Sequence, residues 1–219
     1  MNYNNLLEGC KIYVKEEPRD FIYKVASFLV FQFWEKPVEI SEGLGVLLLV
    51  WNSAFYRYGQ FDINELEKCV RKWYPKLSEF RGRRIESLAS NDHNSIKQIY
   101  DDFRIALCRA EDKVFSPTGV SKALHLLAQN FFPIWDNKIA DGYECYSRDS
   151  EDYLRFMYKM KDLEKEVIDS YLVVHGGSEE SARERICWDL YPEKVFKKPL
   201  LKLIDEYNYS RYTLKALKE

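Results

Sequence analysis

No two of the five cysteines in this chain stand at CxxC spacing; Cys10, Cys69, Cys108, Cys145 and Cys187 are odd in number and widely spread. That pattern argues against a disulfide framework and reads as reduced core thiols in a cytoplasmic protein. The histidines make no metal centre either, since His93 and His175 lack partners at ligand spacing, and neither a metal nor a cofactor is expected. Long apolar runs are missing. The longest notable one, Leu44 to Trp51, is too short to span a bilayer, and the opening MNYNNLLEGC has no basic stretch followed by an apolar core. Neither a membrane span nor a signal peptide is therefore expected. An excess of one charge is lacking as well: 33 lysines and arginines face 35 aspartates and glutamates, for a net charge of −2. Coating nucleic acid without regard to sequence depends on neutralising phosphates, so that class of function is disfavoured. No internal repeat and no low-complexity segment is present.

The even balance conceals a local imbalance. From 68 to 84, Lys68, Arg71, Lys72, Lys76, Arg81, Arg83 and Arg84 face only Glu79, while 141 to 189 is acid-rich, so a local basic groove stays open. Aromatic residues make up 16% of the chain, and such side chains serve cores first and base stacking second. At 219 residues the chain is long enough for one compact unit, residues 1–219, or for two helical subdomains sharing a cleft.

Periodicity reads as helix nearly throughout. After an opening helix, Glu17, Pro18, Arg19 and Asp20 start a second, in which Phe21, Val25, Phe28, Leu29 and Gln32 share a stripe, and Pro37 ends the region. A third runs from about Ser41 through Tyr56. Its apolar middle, LGVLLLVW, marks a central buried helix, with a strand as the alternative. Asp62 caps the next, which Pro75 breaks or restarts. Ile96, Ile99, Phe103 and Leu107 share one face of a helix from about Ser95 to Arg109. Further helices are expected near Asn137 to Tyr146, Asp149 to Val174, Ser178 to Leu190 and Pro199 to Tyr207, punctuated by Gly176, Gly177, Pro192 and Pro199. The expected fold class is all-α.

The densest stretch is SPTGVSKALHLLAQNFFPIWDNKIA, residues 116–140. Ser116, Pro117, Thr118 and Gly119 are turn formers, so a hairpin should feed a helix in which Val120, Ala123, Leu124 and Leu127 face the core and Lys122 falls in the first turn. The helix cannot pass Pro133, and Asp136 stands where a capping carboxylate belongs. A turn with glycine, a lysine at the head of the next helix and an aspartate capping the helix after it resembles the helix-hairpin-helix DNA glycosylases, most nearly their 8-oxoguanine branch. The likeness covers roughly residues 95–145. Gly119, Val120, Ser121 and Lys122 carry one glycine where the family's hairpin has two, and one residue fewer. The interval from lysine to aspartate is roughly four residues shorter than in the family, close to one helical turn. The cysteine spacing excludes the iron-sulfur loop of the endonuclease III branch.

The resemblance implies an all-helical fold with a helix-hairpin-helix at the edge of a central cleft. It also implies that Lys122 attacks the deoxyribose C1′ while Asp136 steadies the cationic sugar. The function implied is a base-excision DNA glycosylase, with AP lyase (hydrolase and lyase) chemistry, acting as a monomer on double-stranded DNA that carries a damaged purine such as 8-oxoguanine. A lysine is a nucleophile only as the neutral amine, a state that apolar company such as Trp135 or Phe132 favours. Candidate pocket walls are Trp51, Asn52, Phe55, His125 and Trp135, because an extruded base is read by stacking and a few hydrogen bonds. For the strand itself, Thr118, Gly119, Val120 and Ser121 offer helix-start N–H groups, and Arg81, Arg83 and Arg84 offer charge. Each residue also has a plain reading: Lys122 as a solvent-facing lysine, Asp136 as a cap, His125 as a hydrogen-bonded core histidine, the aromatics as packing, the arginines as a solvated loop. A catalytically silent DNA-binding relative and a helical protein-interaction scaffold are the alternatives that these readings leave open.

Overall fold

The computed structural model describes residues 1–18, 20–190 and 196–217; Arg19 and Pro192, two of the helix-boundary residues named above, lie outside them. Among the described residues the protein is all-α, with no strand. The chain runs through α1 (Tyr3–Glu16), α2 (Asp20–Gln32), α3 (Pro37–Trp51), the short α4 (Ser53–Tyr56) and α5 (Ile63–Arg81). It continues with α6 (His93–Ala106), α7 (Pro117–Leu127), α8 (Asn137–Gly142), α9 (Ser150–His175), α10 (Glu179–Leu190) and α11 (Leu200–Asn208), which passes into a π-helical turn at Tyr209–Thr213.

Local chemistry explains most of the starts. Asn2 and Asn5 exchange side-chain bonds with each other's N–H groups at α1, Asp62 accepts the N–H of Asn64 at α5, and Asp149 accepts that of Asp152 at α9. Several expected boundaries move. Pro37 opens α3 instead of closing the region before it, because at the first helical position its missing N–H costs no bond. Pro75 sits inside α5 without breaking it, losing only the one ladder bond that its ring cannot donate. The apolar middle of α3 is helical, with Leu44, Leu47 and Leu48 fully buried. Helix α8 stops at Gly142, short of Tyr146.

The α2 stripe is inverted. Tyr23, Ala26, Ser27 and Val30 face the core, while Phe21, Val25 and Phe28 are 61%, 44% and 58% exposed. The inward face places Ala26 and Ser27 between Tyr23 and Val30, and Gly43 of α3 approaches so closely that an added Cβ would lie 3.1 Å from side-chain atoms of Leu29 and Val30. Close helix contact outweighs the bulk of the phenylalanines.

One continuous buried cluster runs from Tyr3 to Tyr207. Helix α1 packs on α11, α6 on α9, and α5 on both α3 and α6, while α7 touches α2, α3 and α6. Phe80 of α5 stacks on Phe131 at 4.5 Å between ring centres and meets Phe132 edge-on at 5.3 Å, which anchors the connection that follows α7. Phe80→Ala should cost about 3–5 kcal/mol in denaturant unfolding, whereas Phe28→Ala should change stability by no more than about 0.5 kcal/mol.

Candidate functional site

Helix α7 starts earlier than a hairpin ending at Gly119 would allow. The Ser116 hydroxyl accepts the Gly119 N–H at 3.1 Å and Pro117 takes the first helical position, so Pro117, Thr118 and Gly119 form the first turn of the helix. Lys122 therefore falls in the second turn. Asn52, just beyond the end of α3, donates to the same Ser116 hydroxyl at 2.7 Å, which laces the end of α3 to the start of α7. Gly119 is required by this closeness: a Cβ there would stand 2.9 Å from Ser116 Oγ and 3.0 Å from the Tyr56 hydroxyl.

From Gly119 to Leu127 every residue except Lys122 is buried. Of these, Lys122 alone lines a cavity of about 330 Å³, whose wall also includes Asp136. That volume lies at the lower end of the range for small-ligand sites. The Lys122 amine donates to the Trp51 carbonyl at 3.0 Å and stands 5.7 Å from the Trp51 ring centre. Asp136 caps α8, one oxygen accepting the Ile139 N–H at 2.8 Å and the other the Thr213 hydroxyl at 2.6 Å. The connection between the two is pinned to α7, since Ser121 Oγ donates to the Trp135 carbonyl and accepts the Trp135 N–H, while the indole N–H of Trp135 donates to the Pro117 carbonyl. The lysine and the carboxylate are thus each held by hydrogen bonds in the wall of one cavity.

Of the expected pocket walls, Trp51, Asn52 and Trp135 line this cavity, as does Thr118 from the expected strand-binding turn. Phe55 does not; it meets Tyr56 edge-on at 4.9 Å and carries the Arg109 guanidinium at 5.0 Å. Gly119, Val120 and Ser121 are buried, and the N–H groups of Gly119 and Val120 bond back to Ser116. The arginines turn to partners within the chain. Arg81 donates to the Leu127 carbonyl and lies 4.1 Å from the Trp34 ring centre, Arg83 grips Asp92 at 2.7 and 2.8 Å, and Arg84 pairs with Glu180. Their basic run is a set of internal clasps.

His125 is fully buried beneath the cavity wall. Its Nδ1 lies 2.8 Å from the Phe132 carbonyl, which can only accept, so Nδ1 carries the proton and Nε2 accepts from the Tyr23 hydroxyl at 2.9 Å. Burial pushes the imidazole down to about 3, with the charge of Lys202 adding and the bond to Phe132 opposing. The buried ring props Tyr23 and, unlike the other expected pocket walls Trp51, Asn52 and Trp135, does not line the cavity.

Sequence reasoning passed over the wall supplied by Tyr13, Glu17, Asp205, Tyr209 and Thr213, and the buried ions behind it. Lys202 is fully buried, 2.7 Å from Asp205 and 3.5 Å from Glu206; Lys198 bridges Glu206 at 2.5 Å and Asp20 at 2.6 Å. Burial disfavours the Lys202 ammonium, but Asp205, Tyr13 and Glu206 outweigh it and raise the group well above the usual lysine range. The spacing of Lys202, Asp205 and Glu206 matches exposed helical ion pairs as well, which is why it carried no signal. Among the described residues, no cluster of three His, Cys, Asp or Glu side chains could hold a metal ion, and no helix is long and apolar enough to cross a membrane. No protein-family model, curated protein or solved structure matches the chain.

The depressed His125 gives a pH test. An unfolded histidine takes up a proton below about 6.5 and the folded one does not until about 3, so its contribution to stability is present above 6.5 and drains away as pH falls. The stability gap between wild type and His125→Asn, measured by denaturant unfolding, should narrow by roughly 1.4 kcal/mol per unit as pH drops below that value.

Proposed function

We propose that the protein is a DNA glycosylase with lyase activity, working as a cytoplasmic monomer on double-stranded DNA that carries a damaged purine such as 8-oxoguanine. The observation that supports this reading is that Lys122, the one residue of its helix turn not enclosed by protein, shares a cavity with Asp136. A helix-hairpin-helix would correspond to α6, the connection 107–116 and α7.

A base inside a duplex cannot reach such a cavity, so the target nucleotide turns out of the stack and its base lies against the face of Trp51, with Asn52 and Thr118 as polar neighbours. Lys138, exposed on the rim, meets the strand's phosphate charge. One N–H of the Lys122 amine bonds to the Trp51 carbonyl. In the neutral amine this bond helps to orient the group, whose lone pair attacks C1′. The C1′–N bond breaks, its electron pair leaves with the base, which takes up a proton, and the Nζ–C1′ bond forms. The carboxylate of Asp136, kept in place by Ile139 and Thr213, stabilises the positive charge that develops on the sugar. Loss of the amine proton and opening of the sugar ring give the imine from which strand cleavage proceeds.

A second reading, a DNA-binding relative without catalysis, is favoured by the prior engagement of these same groups: the Lys122 amine on Trp51 and both Asp136 oxygens on donors. Borohydride separates the two. Wild type mixed with duplex DNA containing 8-oxoguanine or an abasic site should yield a covalent adduct; Lys122→Ala should yield none, and Asp136→Asn should release base roughly a hundredfold more slowly. An adduct with Lys122→Ala would remove Lys122 from the reaction, and salt-sensitive duplex binding with no adduct from wild type would favour the silent relative.

A further inference from the structure

Lys202 lies behind the aromatic wall of the cavity. Its fully buried ammonium is 4.5 Å from the ring centre of Tyr13, 5.4 Å from that of Tyr23 and 5.2 Å from that of Trp51. Tyr13 and Trp51 line the cavity, and Tyr23 stacks on Trp51 at 5.9 Å with the planes 16° apart. An ammonium buried this deeply stays charged only where carboxylates hold it, and the bonds to Asp205 and Glu206, three and four residues along α11, fix where it sits. Among the described residues, two cations thus stand about Trp51. One is Lys202; the other is Lys122, 5.7 Å from the ring centre and bonded to the same residue's carbonyl. Trp51 ends α3, where main-chain carbonyls run out of helical partners, so its carbonyl can receive the Lys122 amine.

We propose that Lys202 is a positioning residue for Lys122 and acts through Trp51: the buried ammonium pins the indole by cation–π attraction, and the pinned residue offers the carbonyl that sets where the Lys122 amine stands. What that amine does rests on the glycosylase reading; where it stands does not. Lysine is suited to this place because a compact charge satisfies two carboxylates and three ring faces together, which a planar guanidinium does less well.

The experiment compares Lys202→Met, which keeps the stem and removes the charge, with Lys202→Arg and with Ile204→Val, a packing change on the same helix. Trapping by borohydride at saturating abasic duplex should slow roughly tenfold or more in Lys202→Met, with duplex affinity unchanged within about twofold, and Lys202→Arg should recover part of the rate. A wild-type rate in folded Lys202→Met overturns the proposal, as does an equal loss in Ile204→Val. If Lys202→Met fails to fold, Lys202→Met/Asp205→Asn removes the nearer carboxylate with the lysine, leaves Glu206 to Lys198, and is judged by the same rate. A second readout needs no DNA: reductive methylation with formaldehyde, followed by peptide mass spectrometry, should show an altered labelling rate at Lys122 and an unchanged one at Lys68. Unaltered Lys122 labelling overturns the proposal. Should wild type trap no DNA at all, the glycosylase reading fails while the methylation result still decides the role of Lys202.

Discussion

Enclosure of α7 is the constraint from which the rest follows. A helix buried on nearly every side must fill its surroundings without voids, and the neighbours that do so are also the ones that build the site. Leu124, Leu126 and Leu127 meet the core, His125 braces Tyr23 and the connection after the helix, and Gly119 lets Tyr56 and Ser116 come close. What remains uncovered beyond the first two residues of the helix is one lysine. Its exposure to the cavity is less a feature of the lysine than of everything packed around it.

The second organising element is a layered arrangement of charge and rings. Lys202 stands close to the rings of Tyr13, Tyr23 and Trp51, Lys122 stands close to that of Trp51, and carboxylates hold the buried cation. Each layer makes the next tolerable. The carboxylates permit a buried cation, the cation holds the rings, and the rings supply an apolar wall with a fixed polar carbonyl at its edge. An aliphatic wall of the same volume would have packed as tightly without giving the cavity a defined face.

How much of this could be read in advance depended on the range of the cause. Helix content and the caps at Asp62 and Asp136 arise from neighbours within a turn or two, and the sequence shows them directly; that Lys122 and Asp136 line one cavity depends on packing along the whole chain. Pro37 and Ser116 were legible in kind but placed on the wrong side of a boundary, because proline and serine serve turns and helix starts alike. The outward turn of Phe21 and Phe28 followed from the tight approach of α2 and α3, a matter of geometry between helices that no periodicity within one of them records. Arg81, Arg83 and Arg84 looked like a nucleic-acid surface because their partners, Leu127, Asp92 and Glu180, lie in other elements. Lys202 was unreadable for a related reason: its spacing to Asp205 is the same whether the pair is wet or dry.

The hydroxyl of Thr213 on Asp136 and the ring of Tyr13 on the cavity wall set the order in which this site can come into being. During synthesis the lysine and the carboxylate leave the ribosome before the wall from α11 and the hydroxyl that steadies the carboxylate, which are made some seventy to ninety residues later, and α1, made earlier still, waits for them with its inner face unfilled. Contacts so distant along the chain close slowly and late. A nascent chain that has not yet made α11 would therefore carry Lys122 and Asp136 without that part of their enclosure.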